Sequence, residues 1–347
     1  MTRGGAAHPL AELTLARLRE IYREPEALFW AFIFPILMSV AMAVAFPSTS
    51  TAPVPVGVRE GAGAEALRAT LAASKAVAPR IVPAADEARV LRDGDVDLIV
   101  VPATPPTYRY DPGRAESRAA RLVLDDALKR TAGRADPWTA VEEHVSVPGS
   151  RYVDWLIPGL VGMGIIGTSV WGIAFSIVQA RMRKLLKRMV ASPMRRSHYL
   201  LAQILARLVF LLPEVAIPLL FGRYVIGMPL HGSMLALVVV SLLGALSCGA
   251  IGLLAASRTK TFEAISGMIN LILLPMWIAS GVFFSASRFP EVVQPLVQAL
   301  PLTALVDALR AVVLEGASLT AIRGELAILT VWGVVPFAIA LKIFRWR

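Results

Sequence analysis

The chain has 347 residues and a net charge of +10, is 56% hydrophobic, and only 17% of its residues are charged. A soluble domain carries about a quarter charged residues. The mean hydropathy of +0.63, with several apolar runs near the ~20 residues that cross a bilayer, therefore excludes an ordinary soluble protein and points to a polytopic membrane protein.

The excess positive charge does not indicate nucleic acid, because it lies beside apolar runs in the positive-inside pattern. A single cysteine, Cys248, excludes an intramolecular disulfide, and the scattered His8, His144, His198 and His231 have no metal-ligand spacing.

Residues 1–26 place Leu10, Leu13, Leu18 and Ile21 on one helical face, with Arg17, Arg19 and Arg23 elsewhere. This predicts an amphipathic helix on the cytoplasmic membrane surface; the alternative is a solvated extension. Ala27–Phe46 is the first apolar run. Its polar leader and apolar core are too long for a cleaved signal, so it reads as a span kinked at Pro35.

Residues 47–151 change character. A Pro/Ser/Thr linker precedes VPVGV, an Ala-rich helix at 64–74, VAPRIVP, a short helix near 86–91, DLIVVP at 97–102, TYRYDP at 107–112 and a long helix over 115–129. Alternating strands and helices predict a small α/β domain. It has 14 basic and 14 acidic residues, and long domains cross membranes largely regardless of charge, so it is expected outside the cell membrane. Asp93, Asp95 and Asp97 lack the glycine and terminal glutamate of a calcium loop and read as a solvated turn.

The second span runs from Tyr152 to Val178. Gly164, Thr168 and Gly172 recur every four residues, a small-residue stripe expected to let another helix approach closely. The basic stretch 179–199 follows, with Arg181, Arg183, Lys184, Lys187, Arg188, Arg195 and Arg196, and no acidic residue occurs between 155 and 213. The third span, Leu200–Tyr224, contains Gln203, Arg207 and Glu214. Arg207 and Glu214 lie on one face, about 10 Å apart along the axis. Arg207 is expected to snorkel. Glu214, near mid-depth, is either a polar lining group or a hydrogen-bonded packing lock.

The fourth span, Met234–Ala256, carries a second small stripe, Gly244, Cys248 and Gly252. After the basic loop 257–261 comes the fifth, Phe262–Phe284, with Asn270 and Pro275. Residues 285–322 are too apolar for a free loop and too interrupted by Pro290, Pro295 and Pro301 to span, which fits a re-entrant or interfacial helical hairpin. The sixth span is Glu325–Ile343.

With six spans, every short basic segment falls on one side, the cytoplasm. The expected fold is a polytopic α-helical membrane protein. It has an N-terminal amphipathic elbow helix (1–26), a first span (27–46), an extracytoplasmic α/β domain (47–151) and a five-helix remainder (152–347). The remainder includes a cytoplasmic helix at 179–195 and an outer hairpin at 285–322. Both termini are expected in the cytoplasm of a cell whose inner (plasma) membrane holds the protein.

Five motifs in this order, EPEALFWAFIFPIL, DLIVVP with YRYDP, WLIPGLVGMG, RMRKLLKRMVASPM, and SGVFF with FPEVVQPLVQALPLTALVDALRAVVLEG, resemble the permease subunit of ABC transporters of the type-2 exporter family over essentially the whole chain. The resemblance implies that 179–195 is the coupling helix that receives a separate ABC ATPase, with Arg181, Arg183, Lys184, Lys187, Arg188 and Pro193 as candidate contacts. It implies that a second permease copy or paralogue completes the transporter, and that ATP and Mg are bound by the partner ATPase, with no cofactor in this chain. The chain has no GxxxxGK[ST] loop. It departs from the family pattern in being more basic: Lys184, Leu185, Leu186 and Lys187 stand where a Gly-Thr-Leu-Glu run is common, and Met182 replaces a glutamate.

Two other readings stay open. An ion-coupled secondary transporter would rest on Arg207 and Glu214 as an intramembrane relay. A membrane sensor or scaffold would use the α/β domain as its ligand receptor, with the basic helix anchored to anionic lipid. The scarcity of polar groups in the spans favours a hydrophobic or amphipathic cargo, such as a drug, natural product or lipid, for efflux.

Overall fold

A computed structural model describes residues 9–45, 53–103, 105–134, 151–184 and 196–344. The chain divides into two compact units, residues 49–145 and residues 1–48 with 146–347.

The smaller unit is a four-stranded sheet of order β2-β1-β3-β4, with β1 (Val54–Arg59), β2 (Val77–Val82), β3 (Leu98–Val101) and β4 (Thr107–Arg109). β1 pairs in parallel with β2 and β3, and β4 closes the edge antiparallel to β3. A largely parallel sheet must be covered on both faces. Val56, Val58, Leu98 and Val100 pack one face against Leu71 and Leu124, which belong to the helices at Ala64–Ala72 and Ala115–Thr131. Val82, Val96 and Ile99 pack the other against Val90, on the helix Glu87–Asp93. A Cβ on Gly57 would lie 3.0 Å from both Ile99 and Val82, so this strand position admits no larger residue without repacking.

The larger unit is helical. We number its helices α1 (Pro9–Tyr22), α2 (Pro25–Leu28), α3 (Phe34–Ala45), α4 (Tyr152–Met182), α5 (Arg196–Phe221), α6 (Met234–Ala256), α7 (Phe262–Ala279), α8 (Gln294–Gln298), α9 (Pro301–Glu315) and α10 (Arg323–Ile343). Among the described residues, five helical stretches, at 152–182, 201–226, 234–256, 262–279 and 323–343, are long and apolar enough to cross a membrane, as expected of an integral membrane protein. Phe29–Ala45 is a shorter apolar helix.

The differences from the sequence-based bounds have local causes. Pro35 is not the site of a simple kink: the turn before it, Phe29–Ile33, is π-helical, and the Phe34 N–H reaches back to Phe29 O. Proline's missing donor disturbs the i→i−4 ladder, and a π turn absorbs the disturbance. The expected fifth span ends at Ala279 rather than Phe284, because Gly281 adopts φ 77° and turns the chain.

α1 packs along α5, and Tyr22 meets Phe210 edge-on at 6.1 Å between ring centroids. α9 is buried on nearly every face between α4, α6 and α10, which explains why its sequence is too apolar for a loop.

Candidate functional site

Two turns of α5 separate Arg207 from Glu214, and both side chains turn inward. Arg207 Nη1 donates to Glu214 Oε2 at 2.6 Å, and the side chains are only 9% and 1% exposed. The Glu214 Oε1 accepts from Thr168 Oγ1 at 2.6 Å. Arg207 also donates from Nε to Ser169 Oγ at 2.9 Å and from Nη2 to Ile165 O at 3.3 Å. A buried ion pair is tolerated only when the remaining donors and acceptors are satisfied, and α4 supplies those partners. Arg207 therefore does not snorkel: a buried carboxylate is nearer than water. Spacing on α5 made the pair legible, but Thr168 and Ser169 as its partners were not, because nothing in the sequence sets the register between α4 and α5.

Among the described residues, the stripe Gly164, Thr168, Gly172 meets little besides Glu214 of α5, which accepts from Thr168, and Arg17 of α1, which donates to Gly172 O. A Cβ on Gly172, or on Gly167, would meet nothing within 4 Å, and one on Gly164 would touch only Glu214 Oε1 at 3.6 Å. These residues instead form a wall of a cavity of about 890 Å³. Trp30 and Phe34 line it from the N-terminal helical run, Phe210 and Gln203 from α5, and Phe262 and Trp277 from α7. The lining is mainly apolar and aromatic with a few polar groups, the composition of small-molecule sites, and the volume lies in their range of about 300–1,000 Å³. Arg207 and Thr168 reach the same space, and Trp277 Nε1 is buried with no hydrogen-bond partner among the described residues.

Arg17 of α1 bounds the cavity, donating from Nη2 to Gly172 O at 3.1 Å and pairing with Glu20 at 2.6 Å. Nearby, burial pushes the Glu24 carboxyl above its ordinary range, against the pull of Arg17.

The second small stripe does pack closely. A Cβ on Gly244 would lie 2.5 Å from Leu305 Cδ1 of α9, and one on Gly252 would lie 2.7 Å from Val170 O of α4. Cys248 is fully buried between them. Asn270 sits on an exposed face of α7 and is not among the residues lining the cavity.

Of the basic residues at 179–195, Arg181 has a task the sequence did not suggest. Its Nη1 donates to Ala256 O at 2.9 Å and to Thr259 O, and its Nη2 to Ser257 O at 3.2 Å. The guanidinium also lies 5.7 Å from the Phe344 ring centroid. Arg181 thus caps the C-terminal carbonyls of α6, where the helix dipole favours a cation, and ties the end of α4 to two other elements. Arg183 and Lys184 form the turn that ends α4, Lys184 with φ 57°. Lys187, Arg188 and Pro193 lie outside the described residues. Among the described residues no group of three or more His, Cys, Asp or Glu could hold a metal ion.

The chain belongs to the ABC-2 family of transporter proteins, whose model matches residues 25–342. It is 28% identical over 172 residues to the probable multidrug ABC transporter permease YbhS of Escherichia coli K12, covering 49% of this chain and 45% of YbhS. It is 25% identical over 177 residues to the linearmycin resistance permease protein LnrN of Bacillus subtilis 168, covering 51% of this chain and 46% of LnrN. The inner membrane transport permease YadH of E. coli K12 is 26% identical over 204 residues, covering 57% of this chain and 75% of YadH. The matched stretch thus spans less than half the length of YbhS and LnrN.

Proposed function

We propose that this ABC-2 family member is the membrane-spanning subunit of an ATP-driven exporter that moves a hydrophobic or amphipathic molecule out of the cytoplasm or inner leaflet. The cavity of about 890 Å³ carries the reading. Its aromatic walls can shed the apolar body of a cargo from lipid or water. Arg207 and Gln203 offer a few directed hydrogen bonds.

In this reading the helical run 25–45 is the first of six spans and α1 is the elbow helix. The α/β unit and the segment 285–322 lie outside, and both termini lie in the cytoplasm of a cell whose inner membrane holds the protein. A separate ABC ATPase binds ATP and Mg and docks on the basic segment 179–195, and a second permease copy or paralogue completes the pathway. This chain then does no chemistry; it converts ATPase closure into movement of the spans. Arg181 suits that task because it links α4, from which the docking segment continues, to the end of α6. The names multidrug permease and linearmycin resistance permease among its relatives support a drug or natural product as cargo.

A proton relay through Glu214 is the weaker reading, since both of its carboxylate oxygens are held, one by Arg207 and one by Thr168. A sensor or scaffold leaves the large cavity without use. The test is reconstitution in inverted vesicles with an ATPase encoded beside the gene. ATP-dependent accumulation of a hydrophobic dye is expected, and its persistence with a hydrolysis-dead ATPase would overturn the proposal.

A further inference from the structure

Ser176 of α4 is 7% exposed and lines the large cavity. Its hydroxyl has no hydrogen-bond partner among the described residues. The hydroxyls of Ser241, Ser247 and Ser280 also lack partners, but they are sealed inside the protein; that of Ser176 is open to the cavity. Thr14, Thr168 and Thr259 each donate to the carbonyl four residues back, the usual outlet for a hydroxyl within a helix. Ser176 lies well inside α4 and has the same outlet, Gly172 O, but that carbonyl instead accepts from Arg17 Nη2 at 3.1 Å. A buried polar group left in this state, and facing a cavity, calls for a partner from a guest or from solvent.

The charges lining the cavity are an independent observation. They are those of Arg17, Arg23, Arg207, Glu24 and Glu26. Arg17 is paired with Glu20 and Arg207 with Glu214, so the charge of each is already matched. Arg23 is left as one cation against the two carboxylates of Glu24 and Glu26. The Glu24 carboxylate makes no hydrogen bond or ion pair among the described residues. Burial holds it above its ordinary range against the pull of Arg17, with Glu20 and Glu26 adding to the rise. It is a carboxylate short of positive charge.

These two groups share one end of the cavity, because Arg17 both reaches the carbonyl beside Ser176 and acts on Glu24. The walls next to them are aromatic. Phe175, the residue before Ser176, meets Trp171 at 4.9 Å and stacks on Phe262 at 5.4 Å between ring centroids. Aromatic rings attract cations and shelter apolar bodies.

We propose that the cargo of this cavity is a lipophilic amine, its protonated head donating to Ser176 Oγ and facing the Glu24 carboxylate, its apolar body lying against Trp171, Phe175 and Phe262. The inference rests on the reading of the cavity as the cargo site and names the chemical class it takes. A neutral alcohol would gain the Ser176 bond without the charge, and an anion would meet Glu24.

The test uses the full chain in dodecyl maltoside, without the ATPase, and three probes that share one body: 1-pyrenebutylamine, 1-pyrenebutanol and 1-pyrenebutyrate. Energy transfer from tryptophan to pyrene reads binding. The amine should saturate at a concentration about tenfold below the alcohol, and the carboxylate should bind most weakly. Glu24→Gln should weaken the amine about tenfold and leave the alcohol unchanged. Ser176→Ala should weaken amine and alcohol alike, several-fold, yet melt with the parent, because its hydroxyl has no partner in the protein to lose. A purely structural role for either residue does not separate the two probes in this way. If the three probes bind equally, or if both variants bind the amine as the parent does, the amine assignment is overturned while the cavity stands as a binding site. If none binds saturably, the cavity reading itself fails and takes this inference with it.

Discussion

Glu214→Gln removes one charge from a pair whose side chains are 9% and 1% exposed. The amide can still accept from Thr168, but it leaves Arg207 charged, buried and facing a neutral group. Removing one member of a buried pair costs about 3–5 kcal/mol. Arg207→Met should cost a similar amount, because Glu214 would keep only the Thr168 hydroxyl as a partner. In Arg207→Met/Glu214→Met both charges leave together. Thr168 Oγ1, already 2.8 Å from Gly164 O, can then bond its own helix, and the double variant should be less destabilised than either single one. The chain supplies its own reporter, since Cys248 is the only cysteine and is fully buried. A thiol-reactive dye in lipid nanodiscs should therefore read unfolding of the helical unit. At roughly 2–4 °C per kcal/mol for a large domain, the roughly 3–5 kcal/mol of each single change should lower the midpoint by roughly 6–20 °C. The reasoning is refuted if the double variant loses the sum of the two single losses, or if Glu214→Gln melts with the parent.

Gly167→Phe should place its ring in the large cavity without a backbone clash, because a Cβ there meets nothing within 4 Å; vesicle transport should fall at least about tenfold while the melting midpoint moves little. Gly252→Leu should do the opposite, since even a Cβ lies 2.7 Å from Val170 O; overpacking costs about 1–3 kcal/mol, and the midpoint should drop by several degrees. Arg181→Met should leave ATPase co-purification intact but uncouple ATP hydrolysis from transport, whereas charge reversal at Arg183 and Lys187 should weaken co-purification itself. In the α/β unit, the hydrogen bond from Lys129, together with a weaker one from Tyr108, holds the Asp125 carboxyl below its ordinary 3.8. Its small contribution to stability is present above that pH and lost as the pH falls through the lower folded value. Lys129→Met should move the carboxyl back up, as read by carbon-13 NMR titration.

Much of the architecture was legible because each element carries its own period. The alternation of short strands and helices over 54–131 predicted the α/β unit, and the fourth apolar run, Met234–Ala256, coincides with its helix. Local patterning determines such elements because burial on one or all faces is written in successive residues. The two small-residue stripes show where that stops. Gly164, Thr168 and Gly172 repeat as Gly244, Cys248 and Gly252 do, yet one stripe opens onto a cavity and the other lies against Leu305 and Val170. A stripe records only that a helix face is small, and what approaches it depends on the packing of distant segments.

The same distinction separates the polar groups. The sequence by itself determined that Arg207 and Glu214 share a face, since a fixed rise per residue places them so. It also determined that the charge after α4 is basic and that the chain is built to lie in a membrane. Only the tertiary structure decided that Arg207 turns inward to Glu214 with Thr168 and Ser169 around the pair, and that Arg181 caps α6. Each of these depends on groups from different helices arriving within hydrogen-bond reach, and the register between helices is set by side-chain packing rather than by any local period.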